Sequence, residues 1–397
     1  MTKMRLLALA LLFALISPIA RADDSVHALN RVSGWFKISD AVFDHWTVLV
    51  PDSDNQRVVM QRKNPVAGPA RRVLVVYPRK SSAYDVAMTQ ILTDFAAKPF
   101  NVTFTALHYA NDVARGDAVA AEIERERYDL VYAMGSESIA FLHARHPAIA
   151  VPVVSVCAKD PVQLGQMKDY ERGSGSNFAF TSLNLLVEVQ LAYLKELRPN
   201  LKNLAVLVDA KNVSAVETQS RPIIAGARAQ GIEAFEIAVR DPVNAAAELT
   251  QLLPPAIDKM RLSDPTLYNS LIWITGSTSV FAEIAAINRH ADRAPVLSVV
   301  PEVVREGSDS AVLSIGVSFE SNAQLAAKYG ADILSGKSKP GDMKVGIVSP
   351  PDIAVNFKRA ADIGLKIPFR FLEAATFVYD RNGKPVRLRG QDVVGGS

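Results

Sequence analysis

From Arg72 onward the chain alternates unbroken apolar runs with amphipathic stretches. "RVLVVYP", "NVTFTALHY", "DLVYAMG" and "VPVVSV" are the apolar runs. Between them "YDVAMTQILTDFAAK", "DAVAAEIERERY" and "SIAFLHARH" carry apolar residues at helical spacing. A strand buried on both faces reads as a continuous apolar run, so the pattern predicts a parallel sheet with helices on both sides. After "GSGSNFAFTS" the rhythm restarts with "LLVEVQLAYLKELRP", "LAVLVDA", "EAFEIAV", "SLIWITG" and "PVLSVV", which predicts a second unit of the same kind. The late segments "AVLSIGVSF", "NAQLAAKYGADILSGK" and "MKVGIVSPPDIAVNFKRAADIGLKI" read as a strand, a helix, and a strand with loop and helix. A late pair that crosses to the first unit and returns would join the two units by a hinge of several strands.

The expected fold class is therefore α/β: two Rossmann-like lobes with parallel sheets, a multi-strand hinge, and a small N-terminal appendage. Lobe 1 is expected over 72–180, completed by about 317–345. Lobe 2 is expected over 181–315, completed by about 346–397. Residues 23–71 stand apart in composition. They hold Trp35 and Trp46, two short strand-like runs around a polar turn, and the linker-like "NPVAGPARR". They read as an appendage or as a segment packed on the main body. Asn382-Gly383 predicts a terminal hairpin.

Residues 1–22 carry a basic start, the apolar run "LLALALLFALISPI" and the small-x-small close Ala20-Arg21-Ala22. This is the pattern of a cleavable secretory signal, with cleavage expected after Ala22 and the protein expected in the periplasm. Removing that segment takes away Lys3, Arg5 and Arg21 and no acid. Lys+Arg falls from 44 to 41, equal to the 41 Asp+Glu. A neutral mature chain offers no electrostatic case for nucleic acid. The single cysteine, Cys157, has no partner for an internal disulfide and sits in an apolar run, as a buried strand cysteine does.

Several motifs carry a resemblance. "LVYAMGSES" followed by "VPVVSVCAKDPVQLG", then "SLIWITGSTSVFAEIAAINRHADRAPVLS", "SIGVSFESNAQLAAKYGADILSGKSKPGDMKV" and "IAVNFKRAADIGLKIP" follow one another in order. Over about Arg72 to Pro368 the chain resembles the ABC-transporter substrate-binding proteins related to the tryptophan/tyrosine-binding lipoproteins, within the type I periplasmic binding fold. The resemblance implies a small-molecule ligand, a membrane ABC permease as partner, and no cofactor. It departs at Ser136-Glu137, where the family often has Thr-Pro, and at Gly276-Ser277-Thr278-Ser279, where the family often has an acid.

In an open α/β sheet, ligands meet the carboxyl ends of the strands, where helix N-termini offer N–H groups and a favourable dipole. The candidate ligand residues are those at strand ends. In lobe 1 they are Ser81, Ser82 and Tyr84, then Gly135 and Ser136, then Asp160. In lobe 2 they are Asn212 and Ser214, then Ser277 and Thr278, then Glu302, which would receive an amino group. Phe319 follows the crossover strand and would line the cleft or fill the core. Ser136 reads equally as a helix cap and Asp160 as a turn residue. Arg79 and Lys80 read as solvated loop charges. Glu137, a first-turn acid, is expected to point away from a ligand carboxylate or to read a ligand amine.

Enzyme readings lack partners. Ser136 has no second glycine two residues on, as a nucleophile elbow requires. No strand ends in G-x-G-x-x-G. His143 and His146 share a helix without a third ligand, so they read as surface histidines. The expectation is a monomeric, non-catalytic solute-binding protein that captures an amino acid or similar carboxylate, aromatic ones included, by hinge closure. The alternative is an envelope sensor or a protein-docking scaffold.

Overall fold

The computed structural model describes residues 29–145 and 149–393. The signal-like segment lies outside the described residues. Within them, no helix is long and apolar enough to cross a membrane.

The first lobe is built on a seven-stranded sheet. Its order from edge to edge is Trp46–Leu49, Arg57–Arg62, Asn101–His108, Ala70–Tyr77, Leu130–Met134, Val153–Val156 and Phe178–Ala179. The strands from Asn101 onward in this order are mutually parallel, and Arg57–Arg62 joins them antiparallel. Leu130–Met134 and Val153–Val156 are buried at every position, as their unbroken apolar runs require. The helices Ser82–Ala96, Val113–Glu126 and Gly135–His143 complete the crossovers.

Residues 46–62, read from composition as part of an appendage, supply two strands of this sheet. Trp46 is buried, and its indole N–H donates to the Leu92 carbonyl at 3.0 Å. Trp35 stacks on His108 with ring centroids 5.1 Å apart. The tryptophans therefore bind the segment to lobe 1.

The second sheet runs Glu233–Val239, Asn203–Asp209, Ser270–Ile274, Val296–Ser298, Leu313–Gly316, Asp352–Asn356, Phe377–Tyr379, Pro385–Leu388 and Gln391–Asp392. It is parallel from Glu233–Val239 through Leu313–Gly316. Beyond that, Asp352–Asn356 is antiparallel to Leu313–Gly316, and the Asn382-Gly383 turn closes an antiparallel pair at the end.

The chain crosses between the lobes three times. It passes from lobe 1 to lobe 2 after Thr181–Ser182, which pairs in parallel with Gly346–Ile347 of the last crossing. The helix Phe319–Leu334 follows a lobe 2 strand yet packs on the lobe 1 helix Ser82–Ala96. Asn322 ties these passages together. Its Oδ1 accepts the Cys157 N–H at 2.8 Å, and its Nδ2 donates to the Ser182 carbonyl at 3.2 Å. At the head of the same helix the Ser318 N–H donates to Asp352 Oδ2 at 2.9 Å. Buried polar groups paired this way hold the hinge backbone without a loose tether.

Candidate functional site

The carboxyl ends of the two parallel sheets meet around one cavity. Lobe 1 lines it with Arg79, Ser81, Ala83, Tyr84, Ser136, Glu137, Cys157 and Lys159. Lobe 2 lines it with Asn212, Ser214, Gly276 and Thr278, and the hinge adds Leu183 and Phe319. The cavity measures about 30 Å³, against roughly 300–1,000 Å³ for ligand pockets in general. The lobes thus stand closed on each other. Two contacts bridge them: Ser81 Oγ lies 3.5 Å from Thr278 Oγ1, and Lys159 Nζ donates to the Gly276 carbonyl at 3.3 Å.

The lobe 1 wall is set by two helix starts. Ser81 caps Ser82–Ala96, its Oγ accepting the Ala83 N–H at 3.3 Å. Gly135 opens the next helix at φ +74°, where a Cβ would lie 2.0 Å from the Tyr84 hydroxyl. Only glycine tolerates both the dihedral and that approach. Ser136 does not cap this helix, whose N-cap position is Met134. Its buried Oγ instead accepts the Lys159 N–H at 2.9 Å, joining two strand-end loops.

Charge collects on the same wall. Arg79 Nε donates to Glu137 Oε1 at 2.9 Å, and the Tyr84 hydroxyl lies 3.5 Å from Glu137 Oε2. Burial works against the Arg79 charge, but Tyr84 and Glu137 outweigh it, so the guanidinium stays above its ordinary range. Burial pushes the Lys159 ammonium down to about 8 and the Cys157 thiol well up. Cys157 follows its strand rather than sitting within it, and it is buried as expected of a structural cysteine.

Lobe 2 contributes neutral groups. Asn212 Oδ1 accepts from the Ala215 N–H at 3.2 Å and from the Ser214 hydroxyl at 3.0 Å. Phe319 begins the hinge helix and faces Phe281, with ring centroids 6.3 Å apart.

Seven of the sequence-predicted residues line the cavity: Ser81, Tyr84, Ser136, Asn212, Ser214, Thr278 and Phe319. Gly135 shapes it through Tyr84. Four others lie elsewhere. Ser82 is exposed and faces a groove with Asp85 and Glu320. Asp160 organises its own turn, accepting from the Val162 N–H at 2.9 Å and the Tyr170 hydroxyl at 2.6 Å. Ser277 is fully buried, and its Oγ accepts from Asn212 Nδ2 at 3.3 Å. Glu302 turns toward the hinge, where its Oε1 accepts the Phe319 N–H at 2.7 Å and burial pushes its carboxyl up to about 8. It lines a separate cavity of about 700 Å³ with Phe377, Tyr379 and Arg389. His143 packs its ring against Phe178 and Phe180, while His146 lies outside the described residues.

Arg79 and Lys159 were not legible as site residues. A charged residue after a strand reads as a solvated loop charge, and the one available signal was its position at a strand's carboxyl end. Glu137 was legible as an acid beside the site, but its pairing with Arg79 was not.

Residues 101–379 match the model of a family described as ABC transporter substrate binding protein. A curated relative, the tyrosine-binding protein of Clostridioides difficile strain R20291, is 21% identical over 258 residues, covering 64% of this chain and 69% of the relative. Among solved structures, a conserved domain protein from Vibrio cholerae aligns with a TM-score of 0.61 at 21% identity, over 78% of this chain and 99% of that one. The ABC domain from Streptococcus pneumonia in complex with L-Trp aligns with a TM-score of 0.60 at 18% identity, over 78% of this chain and 100% of that one. At these identities the structural likeness establishes a shared two-lobed fold.

Proposed function

The chain belongs to the ABC transporter substrate binding protein family, and on that premise we propose that it captures a small carboxylate, an amino acid or a close analogue, between its lobes and delivers it to a membrane ABC permease. One observation carries this reading: hydroxyl, amide and cationic groups from strand ends of both lobes converge on a single cavity that the lobes close between them. Binding would part the lobes at the hinge, where the chain crosses three times, and reclose them over the ligand. The tyrosine and tryptophan of the two named relatives set the size of ligand to try first.

The ligand carboxylate would meet the starts of the helices Ser82–Ala96 and Gly135–His143, whose N–H groups and dipole favour an anion. Ser81, Ser136 and Thr278 would donate hydroxyls, and Tyr84 and Phe319 would contact the ligand body. In this role the protein acts as an exported monomer without catalysis. Its first 22 residues would direct it to the periplasm.

A thermal-shift screen of the purified protein against amino acids, their carboxylate analogues, sugars and purines tests the reading. A ligand that binds only the folded state at a hundred times its Kd adds about 2.7 kcal/mol, which moves the midpoint measurably. If carboxylates leave the midpoint unmoved while a sugar or purine raises it, the ligand assignment fails. If nothing raises it, the capture role fails.

A further inference from the structure

The charges lining the cavity do not match a zwitterion. Lobe 1 brings two cations, Arg79 and Lys159, and one acid, Glu137. The lobe 2 groups that line it, from Asn212, Ser214, Gly276 and Thr278, are uncharged. Glu137 accepts from Arg79 Nε at 2.9 Å on one oxygen, and the Tyr84 hydroxyl lies 3.5 Å from the other, so its charge is balanced by the guanidinium. The Gly276 carbonyl is taken by Lys159 Nζ. The nearby Asp209 does not line the cavity, and its two oxygens accept from the Lys211 N–H at 2.8 Å and the Ser279 hydroxyl at 2.7 Å. The one carboxylate lining the cavity is therefore already paired with a cation, and no unpaired acid is left to balance a ligand ammonium.

Donors, by contrast, are in surplus. Arg79 meets Glu137 through Nε alone, and its Nη1 only grazes the Lys80 carbonyl at 3.4 Å. Lys159 makes one long contact to lobe 2 and stands buried with a single unbalanced charge. A buried charge without a full partner is costly, and a ligand carboxylate would relieve it. A ligand ammonium placed in the same small space would face two cations.

Resting on the proposed capture role, we infer that the cleft is built for a carboxylate without an ammonium group, of the 2-oxo or 2-hydroxy acid class, with Lys159 as the residue that selects net charge −1 over the zwitterion. The Arg79–Glu137 pair stays intact in the complex, and Lys159 exchanges the Gly276 carbonyl for the ligand carboxylate. The groups that face the Lys159 ammonium are Glu137, Arg79 and Cys157 from lobe 1 and the Gly276 carbonyl from lobe 2. Since burial brings Lys159 down to about 8, a carboxylate that depends on its charge should bind more weakly as pH rises past that value.

Calorimetric titration with side-chain-matched pairs tests this. The probes are phenylpyruvate against L-phenylalanine, indole-3-pyruvate against L-tryptophan, 4-methyl-2-oxopentanoate against L-leucine, and L-glutamate as an acidic amino acid. The expected result is at least tenfold tighter binding of the oxo acid in the best-bound pair. Lys159→Met should erase that preference and Lys159→Arg retain most of it. In the unmodified protein the oxo acid's Kd should rise between pH 7.5 and 9.5, which needs no variant to fold. An amino acid that binds as tightly as its matched oxo acid, or L-glutamate binding as tightly as the best-bound oxo acid, overturns the inference and leaves the capture role standing. A preference that survives both Lys159→Met and pH 9.5 overturns the role of Lys159. If none of these probes binds, the inference falls together with the proposed carboxylate ligand.

Discussion

Lys159 of lobe 1 reaches across the cleft to donate to the carbonyl of Gly276 in lobe 2, 3.3 Å away. A Cβ at Gly276 would lie 2.4 Å from that ammonium. The latch between the lobes therefore depends on a backbone carbonyl that only a glycine leaves open to approach, with the flexible end of a lysine as the other partner.

Gly276→Ala is expected to separate closure from stability. The clash falls on the far end of a mobile side chain, so the fold should lose less than about 1 kcal/mol, as surface-like changes do. The closed form without ligand should suffer, while ligand affinity should hold or tighten, because the ligand no longer has to draw Lys159 off that carbonyl. Urea denaturation and calorimetric titration on the same variant check both halves. A large stability loss, or an affinity weakened about tenfold or more, would refute the latch.

Gly135→Ala should behave in the opposite way. Its φ of +74° strains any other residue, and the new methyl would meet the Tyr84 hydroxyl at 2.0 Å with little room to yield. Left-handed strain of about 1–3 kcal/mol is expected together with displacement of Tyr84. Denaturation midpoints measure the first effect, and loss of ligand-induced thermal shift measures the second.

Trp46→Ala tests whether the N-terminal strands are structural. Trp46 is buried against Phe104, with ring centroids 5.5 Å apart, and its N–H is paired with Leu92. Truncating a buried aromatic of this kind costs about 3–5 kcal/mol. A variant within 1 kcal/mol of the parent would mean that residues 46–62 are dispensable to lobe 1.

Stability should pass through a local minimum near pH 8. Glu302 is raised from 4.5 to about 8, so between those values the folded chain holds a proton that the unfolded chain has released. Stability then falls as pH rises. Lys159 is lowered from 10.5 to about 8, so above 8 the unfolded chain holds the extra proton and stability rises again. At about 1.4 kcal/mol per pKa unit the acid limb spans on the order of a few kcal/mol, while the alkaline rise ends near pH 9, where the raised Cys157 thiol keeps a proton that the unfolded chain releases. Urea titrations from pH 5 to 10 should show Glu302→Gln flattening the acid limb and Lys159→Met flattening the alkaline one. Limbs unchanged by these substitutions would assign the curve to other groups.

Much of the architecture was legible because parallel strands buried on both faces have no polar alternation. "DLVYAMG" and "SLIWITG" announce themselves as core strands, and both are buried at every strand position in the folded chain. Strand ends also carry turn and capping chemistry, which is why Ser81, Asn212 and Thr278 stood out. The N-terminal segment was harder. Strands that pair antiparallel at a sheet edge look locally like a free hairpin, and only the register of Val58 against Ala106 shows where they belong.

The amino-acid sequence by itself determined the two α/β lobes and which loops lie at the strands' carboxyl ends, because both follow from local periodicity and turn chemistry. Tertiary structure alone decided which polar residues face the cleft. Ser136 and Ser277 are the same residue type in matching loops, yet one lines the cavity and the other is sealed inside lobe 2. Arg79 and Lys159 look like ordinary loop charges, and closure of the lobes turned them into the cations of the site. A side chain's partners across a cleft are set by how two separately folded bodies meet, and no local spacing encodes that.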